Sequence, residues 1–596
     1  MNGATLPQET VPGLLAQRAA ASPSAVAFQQ EAGPGHWEPV TWADFAQRVE
    51  HLRRGLAAAG LSHGDRLALI APVSLEWELL HHAALALGVV VVGLDAHDLP
   101  ERVADMVEQA DVTAIATDSP QILSRLGGER WARIHLIVQL GSPAGAWPPE
   151  TAPTLLAALE AAGTTAPSAD RPAPAPGDMA TIIFTSGTTG APKGMAYKHT
   201  QLCLAIDAIC DAFPFVGPGS RLICWLPLSN LLQRIVNLAG MRRGAASYLL
   251  GDPRRVMEVV GGVAPDVFIG VPRFYEKLYD GIRDRIGSQR GWRRRLVEWA
   301  WQTGRRSSRY RQTRQPMPTG LRLAWAAADR LVLRRVRAVM GDRLRCMVTG
   351  SAPTPKHLLE EFHALGWLVL EAYGLSENVL PMAMNRVDDF RFGTVGRPLE
   401  GNEIVVIDGE AIKVRGPGLS GGHLVDEDLP PFDADGFFLT GDLGKLDDDG
   451  FLRVTGRSGD MIKTSTGRRV APASAEAQLR SVPGIDHALL VGNGRKCLVA
   501  LCSCTQTGFD DGARTSLAAA LRQQVQRISE HERPLGIALI ERPFCIKLGE
   551  LTTNLKLRRS AIQALHDDLI RTLYARIDDS KNSAVDELTV VWPGKL

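Results

Sequence analysis

An apolar run at 180–184 opens directly into Thr185-Ser186-Gly187-Thr188-Thr189-Gly190-Ala191-Pro192-Lys193-Gly194, and no other stretch restricts the fold and chemistry of this chain so tightly. The apolar, β-branched run reads as a buried strand. Its end delivers three glycines, four hydroxyls and a lysine. Glycine lets backbone N–H groups turn inward and approach a bound group closely. The hydroxyls donate hydrogen bonds and Lys193 brings a mobile positive charge, so the loop has the chemistry to hold phosphate. It is not a Walker loop, because two residues separate Gly190 from Lys193 and the residue before the lysine is proline. Taken alone, such a stretch also reads as a flexible Ser/Thr/Gly surface turn.

At 596 residues the chain is too long for one core, and 45% hydrophobic with 22% charged residues is the balance of an ordinary soluble enzyme. The net charge of +1 by itself indicates no nucleic-acid or acidic partner. Eight cysteines are scattered without a Cys-x-x-Cys pair, which argues against a disulfide framework or a zinc site and for a reducing compartment. Cys502 and Cys504 read as one face of a strand. The first residues lack the basic start and apolar core of a signal peptide. The most apolar stretch, 83–94, is far short of the roughly 20 residues a spanning helix needs. A cytoplasmic protein is expected.

Residues 1–160 alternate helical and strand patterns: a helix over 42–59, a strand over 66–71, a helix over 76–87 and a strand over 89–94. Such alternation predicts an α/β fold of stacked layers with parallel sheet. A Pro/Ala-rich connector covers 164–177. From Gly401 short strands follow, at 403–407, 411–415, 436–440 and 451–455, separated by turns such as 447–450, which predicts a small β-rich subdomain. A separate α/β piece begins after 456–460. The expected division is a large N-terminal domain, 1–457, its β-rich part at about 400–457, and a small mobile C-terminal domain, 458–596. Residues 281–340 hold sixteen arginines against Asp284, Glu298 and Asp329, with Trp292, Trp299, Trp301 and Trp325 among them. Three readings stand side by side: a solvated helical face, a peripheral contact with an anionic membrane at its inner face, and a track for a negatively charged carrier. Nucleic-acid binding has no motif to support it.

Four more segments follow in order: Gly350-Ser351-Ala352-Pro353 after an apolar strand at 346–349; Glu371-Ala372-Tyr373-Gly374-Leu375-Ser376-Glu377 after another; Thr440-Gly441-Asp442 on a turn, with Arg457 downstream; and 550–559 near the C-terminus. With the loop at 185–194 these segments resemble the adenylate-forming superfamily of acyl-CoA synthetases, luciferases and nonribosomal adenylation domains. The residues 225–234, 271–277 and 393–398 are most similar to bacterial long-chain fatty acyl-CoA synthetases, and the resemblance runs from about residue 10 to about 575.

What the resemblance implies is specific. ATP or AMP would be held by Thr185, Ser186, Gly187, Thr188, Thr189, Gly190 and Lys193, by Gly350, Ser351 and Ala352 along the adenine, and by Glu371, Ala372, Tyr373, Gly374, Leu375 and Ser376. Tyr373 would stack on the base, and Asp442 and Arg457 would reach the ribose. Thr188 and Glu377 would hold Mg²⁺. Lys556 would be the catalytic lysine, Trp225, Asn230 and Ala372 would line the acyl pocket, and Gly459 and Asp460 would mark the hinge. A fatty or related carboxylate would attack ATP to give acyl-AMP and pyrophosphate. Rotation of the C-terminal piece would then admit the thiol of coenzyme A or of carrier-protein phosphopantetheine. No protein nucleophile is required. An acyl-AMP ligase loading an acyl carrier protein is the close rival, and a non-catalytic acyl-nucleotide-binding protein the distant one. Three departures from the family pattern stand out: Asn230 in place of a histidine, Ala372 in place of a glycine, and Gly459 in place of a lysine or aspartate. They put the pocket's shape and the hinge's resting state in question.

Overall fold

The computed structural model describes residues 7–125, 133–142, 145–148, 151–167, 172–185, 192–421, 432–552, 556–580 and 588–592. The fold is α/β, and the chain separates into two compact units. The larger comprises Met1–Val405, Lys413–Phe438 and Leu446–Arg453, and the smaller Val406–Ile412, Leu439–Lys445 and Val454–Leu596.

A seven-stranded sheet anchors the larger unit, in the spatial order Thr154–Leu155, Leu136–Gln139, Ala114–Thr117, Arg66–Ile70, Val90–Leu94, Met179–Thr185, Lys193–Lys198. Neighbours are parallel except the last pair, a hairpin. The apolar runs are continuous because both faces are covered. Leu67, Leu69, Val91 and Ile183 enter one core, while Ala68, Ile70, Val92 and Ile182 enter another. The helix Leu75–Leu87 begins where Ser74 accepts the Trp77 N–H at 3.2 Å and ends at Gly88. A five-stranded sheet orders Val267–Gly270, Cys346–Thr349, Val369–Tyr373, Ala383–Met384 and Arg397–Pro398, with the first three parallel.

The arginine-rich stretch is helical, as expected, over Pro272–Gly287, Gly291–Thr313, Thr319–Ala328 and Arg334–Arg337. The long helix Gly291–Thr313 packs on Lys356–Leu365 through Gly304, where a Cβ would lie 2.2 Å from the Ala364 carbonyl oxygen.

Strands Glu403–Ile407, Ala411–Arg415, Phe438–Leu446 and Leu452–Arg457 form one sheet in chain order, and the boundary between the units runs along them. The third strand is longer than the sequence pattern suggests. Asp442, expected on a turn, lies inside it. Gly441 has φ +71° there, so a local kink in a continuing strand had the sequence signature of a turn.

In the smaller unit a sheet of Ile485–Val491, Val499–Cys504, Gly536–Ile540 and Thr589–Val591 is covered on both faces. Helices Pro472–Arg480 and Asp511–Val525 share a core with Ala488, Ala500 and Leu539, and Arg559–Leu565 and Asp567–Ser580 share one with Leu489, Leu501 and Ala538. Cys502 and Cys504 are buried on one strand face, and all eight cysteines are free.

The contact at Gly304 gives a direct expectation. Gly304→Val will destabilise the larger unit by about 1–3 kcal/mol or more, because the facing group is backbone and cannot rotate away. Gly281→Ala, in a helix interior where a Cβ meets nothing within 4 Å, will be neutral or stabilising by about 0.5–1 kcal/mol. Thermal or denaturant unfolding of the full chain reads both.

Candidate active site

The hairpin Met179–Thr185/Lys193–Lys198 pairs Thr185 with Lys193, and the glycine-and-hydroxyl segment is the stretch of chain that joins its two strands. Ser186, Gly187, Thr188, Thr189 and Gly190 lie outside the described residues. Lys193 is exposed at the start of the exit strand. Further along that strand Tyr197 is fully buried and donates its hydroxyl to the Ser376 carbonyl. Burial pushes its phenol well above the ordinary value, and the charge of Glu377 adds to this. The loop's exit strand is thereby fastened to the turn of Leu375, Ser376 and Glu377. Nothing in the sequence pattern around Tyr197 announced this, since its partner is 179 residues away. Glu377 is half-buried, and its oxygens suit Mg²⁺, which takes one or two carboxylates beside substrate phosphates and keeps its waters.

Strands Cys346–Thr349 and Val369–Tyr373 are parallel, with Thr349 opposite Glu371. They bring the second and third segments together. A Cβ on Gly350 would stand 3.3 Å from the Ala372 carbonyl oxygen. Ser351 has φ +69°, a left-handed conformation that stores strain in a residue with a side chain. Ala352 and Gly374 are exposed, Ala372 is half-buried and Tyr373 is buried. Glu371 is 7% exposed. Burial pushes its carboxyl up to about 7, opposed by backbone N–H groups of Gly393 and Thr354. Its Oε2 has no hydrogen-bond partner among the described residues. Glu371 thus spans from the strained loop to the 393–398 segment with one oxygen left over, an orphaned acceptor where a nucleotide base with N–H donors fits.

Trp225 is buried, stacks on Phe268 with centroids 5.6 Å apart and donates from Nε1 to the Ile269 carbonyl at 2.8 Å. Asn230 is the N-cap of Leu231–Arg243, and its Oδ1 accepts the Leu232 N–H at 3.0 Å. A buried polar chain supports this segment. Gln233 accepts the Leu226 N–H at 3.3 Å and donates to Asn237 at 3.1 Å, and Asn237 donates to Glu78 at 2.6 Å. Arg234, 1% exposed, donates to Thr181 Oγ1 at 2.7 Å, on the strand that leads into the glycine-and-hydroxyl segment. Burial holds the Arg234 guanidinium down at about 10, pushes Glu78 up and holds His82 down at about 3. The polar pair Gln233-Arg234 in an otherwise buried helix was the available signal for this chain, and the motif reading passed over it.

In the smaller unit Asp442 is buried and accepts from Arg457 Nε at 2.8 Å, so the two expected ribose ligands form one ion pair. Gly459 sits in a single 3-10 turn, Ser458–Asp460, where a Cβ would meet nothing and no left-handed angle is used. Asp460 pairs with Arg559 at 3.4 Å. Lys556 is exposed beside Leu557, which forms a bridge with Leu551, and the Lys556 backbone N–H donates to Thr552 Oγ1 at 3.1 Å. Glu550, fully buried, anchors that motif by accepting two bonds from Arg542, at 2.7 and 2.8 Å, and one from the Cys545 N–H at 3.0 Å.

The profile of the AMP-binding enzyme family matches residues 15–425, and that of the AMP-binding enzyme C-terminal domain matches 459–578. Among curated proteins, the long-chain-fatty-acid–CoA ligase FadD15 of Mycobacterium bovis is 29% identical over 569 residues, covering 91% of this chain and 93% of that protein. Among solved structures, the A-PCP didomain of carboxylic acid reductase from Segniliparus rugosus in complex with AMP superposes with a TM-score of 0.75 at 18% identity, over 96% of this chain and 82% of that one. The anthranilate CoA ligase AuaEII in complex with anthranoyl-AMP gives 0.72 at 17% identity, over 96% and 100%.

Two expectations follow from this geometry. The raised carboxyl of Glu371 favours its protonated form in the folded chain. Its contribution to stability is full below the ordinary carboxylate value of 4.5 and is lost as pH rises through about 7. Glu371→Gln will flatten that part of the stability-against-pH curve, read by denaturant midpoints at several pH values. Asn230→Ala will cost about 0.5–2 kcal/mol through the lost cap. The expectation that Asn230 also lines an acyl pocket is tested by Asn230→His, with kcat/KM measured across acids of different length.

Proposed function

Because the chain belongs to the AMP-binding enzyme family, we propose that it activates a long-chain or related fatty carboxylic acid with ATP and transfers the acyl group to the thiol of coenzyme A. The observation that carries this reading is the fastening of the phosphate-loop hairpin, through Tyr197, to the turn bearing Ser376 and Glu377. The strand that carries Lys193 and the turn that carries Glu377 are thereby tied to each other. The near full-length similarity to a long-chain-fatty-acid–CoA ligase supports the acid and the acceptor.

A carboxylate and a polyphosphate repel, so catalysis must neutralise charge before it can position the reactants. Thr185, Ser186, Thr188 and Thr189 would donate to phosphate oxygens, Gly187 and Gly190 would offer backbone N–H groups to them, and Lys193 would add charge. Glu377 and Thr188 would hold Mg²⁺, which would supply neutralisation of phosphate charge. Gly350, Ser351, Ala352, Glu371, Ala372, Tyr373, Gly374 and Leu375 receive the adenine, and Asp442 with Arg457 receives the ribose hydroxyls. Trp225, Asn230 and Ala372 shape the entry for the acid. A carboxylate oxygen then attacks the α-phosphorus, the bond to pyrophosphate breaks, and Lys556 stabilises the charge that builds. Rotation about Gly459 and Asp460 withdraws the lysine. The thiol, losing its proton, attacks the acyl carbon, and AMP leaves with the bridging oxygen.

Pyrophosphate release over a panel of carboxylic acids, with and without coenzyme A, tests the proposal, and product mass identifies the acceptor. Acyl transfer to holo-acyl carrier protein and none to coenzyme A would reassign the thiol. No pyrophosphate with any acid would leave only an acyl-nucleotide-binding protein. Lys556→Ala is expected to slow adenylation by roughly a hundredfold or more. Thioester formation from supplied acyl-AMP will stay within a few-fold of wild type. Equal loss of both half-reactions would contradict the role given to Lys556.

A further inference from the structure

The helix Gly291–Thr313 spans about 34 Å at the usual rise per residue, and one face of it is exposed among the described residues. Trp301, Gly304, Ser307 and Ser308 are buried. On the opposite side Trp292, Arg295, Trp299, Arg306 and Arg309 are exposed, Trp292 by 70%. Trp292, Trp299 and Arg306 are separated by seven positions, as are Arg295, Gln302 and Arg309, so two tryptophans, three arginines and a glutamine form a stripe along the helix. Across 281–340 every arginine except Arg311 and Arg337 is exposed. Glu298 and Asp329 pair with Arg294 and Arg337, at 2.8 and 2.7 Å. No ion pair among the described residues involves Arg295, Arg306 or Arg309.

We propose that this face is a membrane-docking surface that takes the phosphodiester headgroups of anionic phospholipids. Three observations choose that partner. The stretch contains no lysine, and the flat guanidinium fork matches phosphate oxygens two at a time where an ammonium meets them as a point charge. Tryptophans interleave with the arginines, and an amphipathic ring has its best environment at headgroup depth. Leu323, 66% exposed, stands on the helix Thr319–Ala328 that packs against the long one, and Leu331, 49% exposed, follows it. Aliphatic side chains gain from hydrocarbon and gain nothing from a nucleic-acid backbone. A helix rich in arginine on a polar face with tryptophan beside it lies in the plane of a bilayer rather than across it. No helix among the described residues is long and apolar enough to cross one. The ligase reading supplies the purpose, since fatty acids collect in bilayers, but docking does not depend on that chemistry.

Flotation of the full chain with vesicles tests it. Binding to vesicles of phosphatidylcholine with phosphatidylglycerol, none to phosphatidylcholine alone, and release by added salt are expected. Replacing Arg295, Arg306 and Arg309 together by glutamine is expected to cut partitioning by roughly a hundredfold. Trp292→Ala with Trp299→Ala will weaken it without abolishing its dependence on lipid charge. Circular dichroism and pyrophosphate release with a short, water-soluble acid will be unchanged in both variants, which separates docking from folding and from the ligase chemistry. Three results would overturn the proposal: no vesicle binding, equal binding to neutral vesicles, or undiminished binding of the triple variant. So would tight binding of RNA or an acidic carrier protein to this face in place of vesicles.

Discussion

A guanidinium held out of water is the constraint that organises the larger unit. Arg234 is 1% exposed, and two of its nitrogens, Nε and Nη2, find no acceptor among the described residues. Removing one partner from such a buried charge costs roughly 3–5 kcal/mol, so its surroundings cannot drift. Thr181 must keep its hydroxyl on both Arg234 and the Val91 carbonyl, which lies 2.7 Å away. Glu78 must remain near enough to balance the charge while receiving Asn237. Gly93 leaves little room beside the cation, because a Cβ there would sit 3.3 Å from Arg234 Nη2 and from the Ser229 Cα. Strand Met179–Thr185, helix Leu75–Leu87 and helix Leu231–Arg243 are therefore set relative to one another by one buried cation. The first ends at the segment expected to hold phosphate and the last begins at the residue expected in the acyl pocket.

Elements that announce themselves through local apolar pattern were legible. The strand before the phosphate loop, Cys346–Thr349, Glu403–Ile407 and Ala411–Arg415 fall where their β-branched runs put them, and helices 42–59 and 76–87 are correct to within a residue or so. The site residues gathered by motif were legible to the extent that strand pairing brings them together: Thr185 with Lys193, and Gly350 with Ala372. What was illegible depends on partners far along the chain. Tyr197 reaches Ser376 across 179 positions and Asn237 reaches Glu78 across 159, and no window of sequence contains both ends of either bond. Asp442 was misplaced for a different reason. A glycine with positive φ inside a strand carries the same local signature as one that ends it.

Both units solve the same problem in the same way. A reactive or binding segment has to be exposed to meet its ligand, yet has to be held well enough to act. In the larger unit the buried carboxyl of Glu371 takes N–H groups from Thr354 and Gly393, securing the strained loop that begins at Gly350. In the smaller one, Glu550 is completely buried, takes Arg542 with both oxygens, and is also met by His566 Nε2 at 3.0 Å. The Arg558 N–H returns to the Glu550 carbonyl at 2.8 Å and Leu551 bridges Leu557, so the segment bearing Lys556 is clamped at its base while the lysine itself is exposed.

The two anchors differ in a way that matters for chemistry. Glu550 is paired with a cation and held below its ordinary value, although burial alone would raise it. It therefore stays charged over the whole neutral range. Glu371 has only backbone donors to oppose desolvation, and its carboxyl changes charge near neutrality. The C-terminal anchor is thus a fixed fastening at the base of the segment that carries Lys556. The anchor beside the proposed adenine loop is adjustable, and a base that offered its N–H to the unpartnered Oε2 would favour the ionised form. Nucleotide binding at that loop would then release a proton, coupling occupancy of the site to the ionisation of a residue that the motif alone presents as a simple ligand.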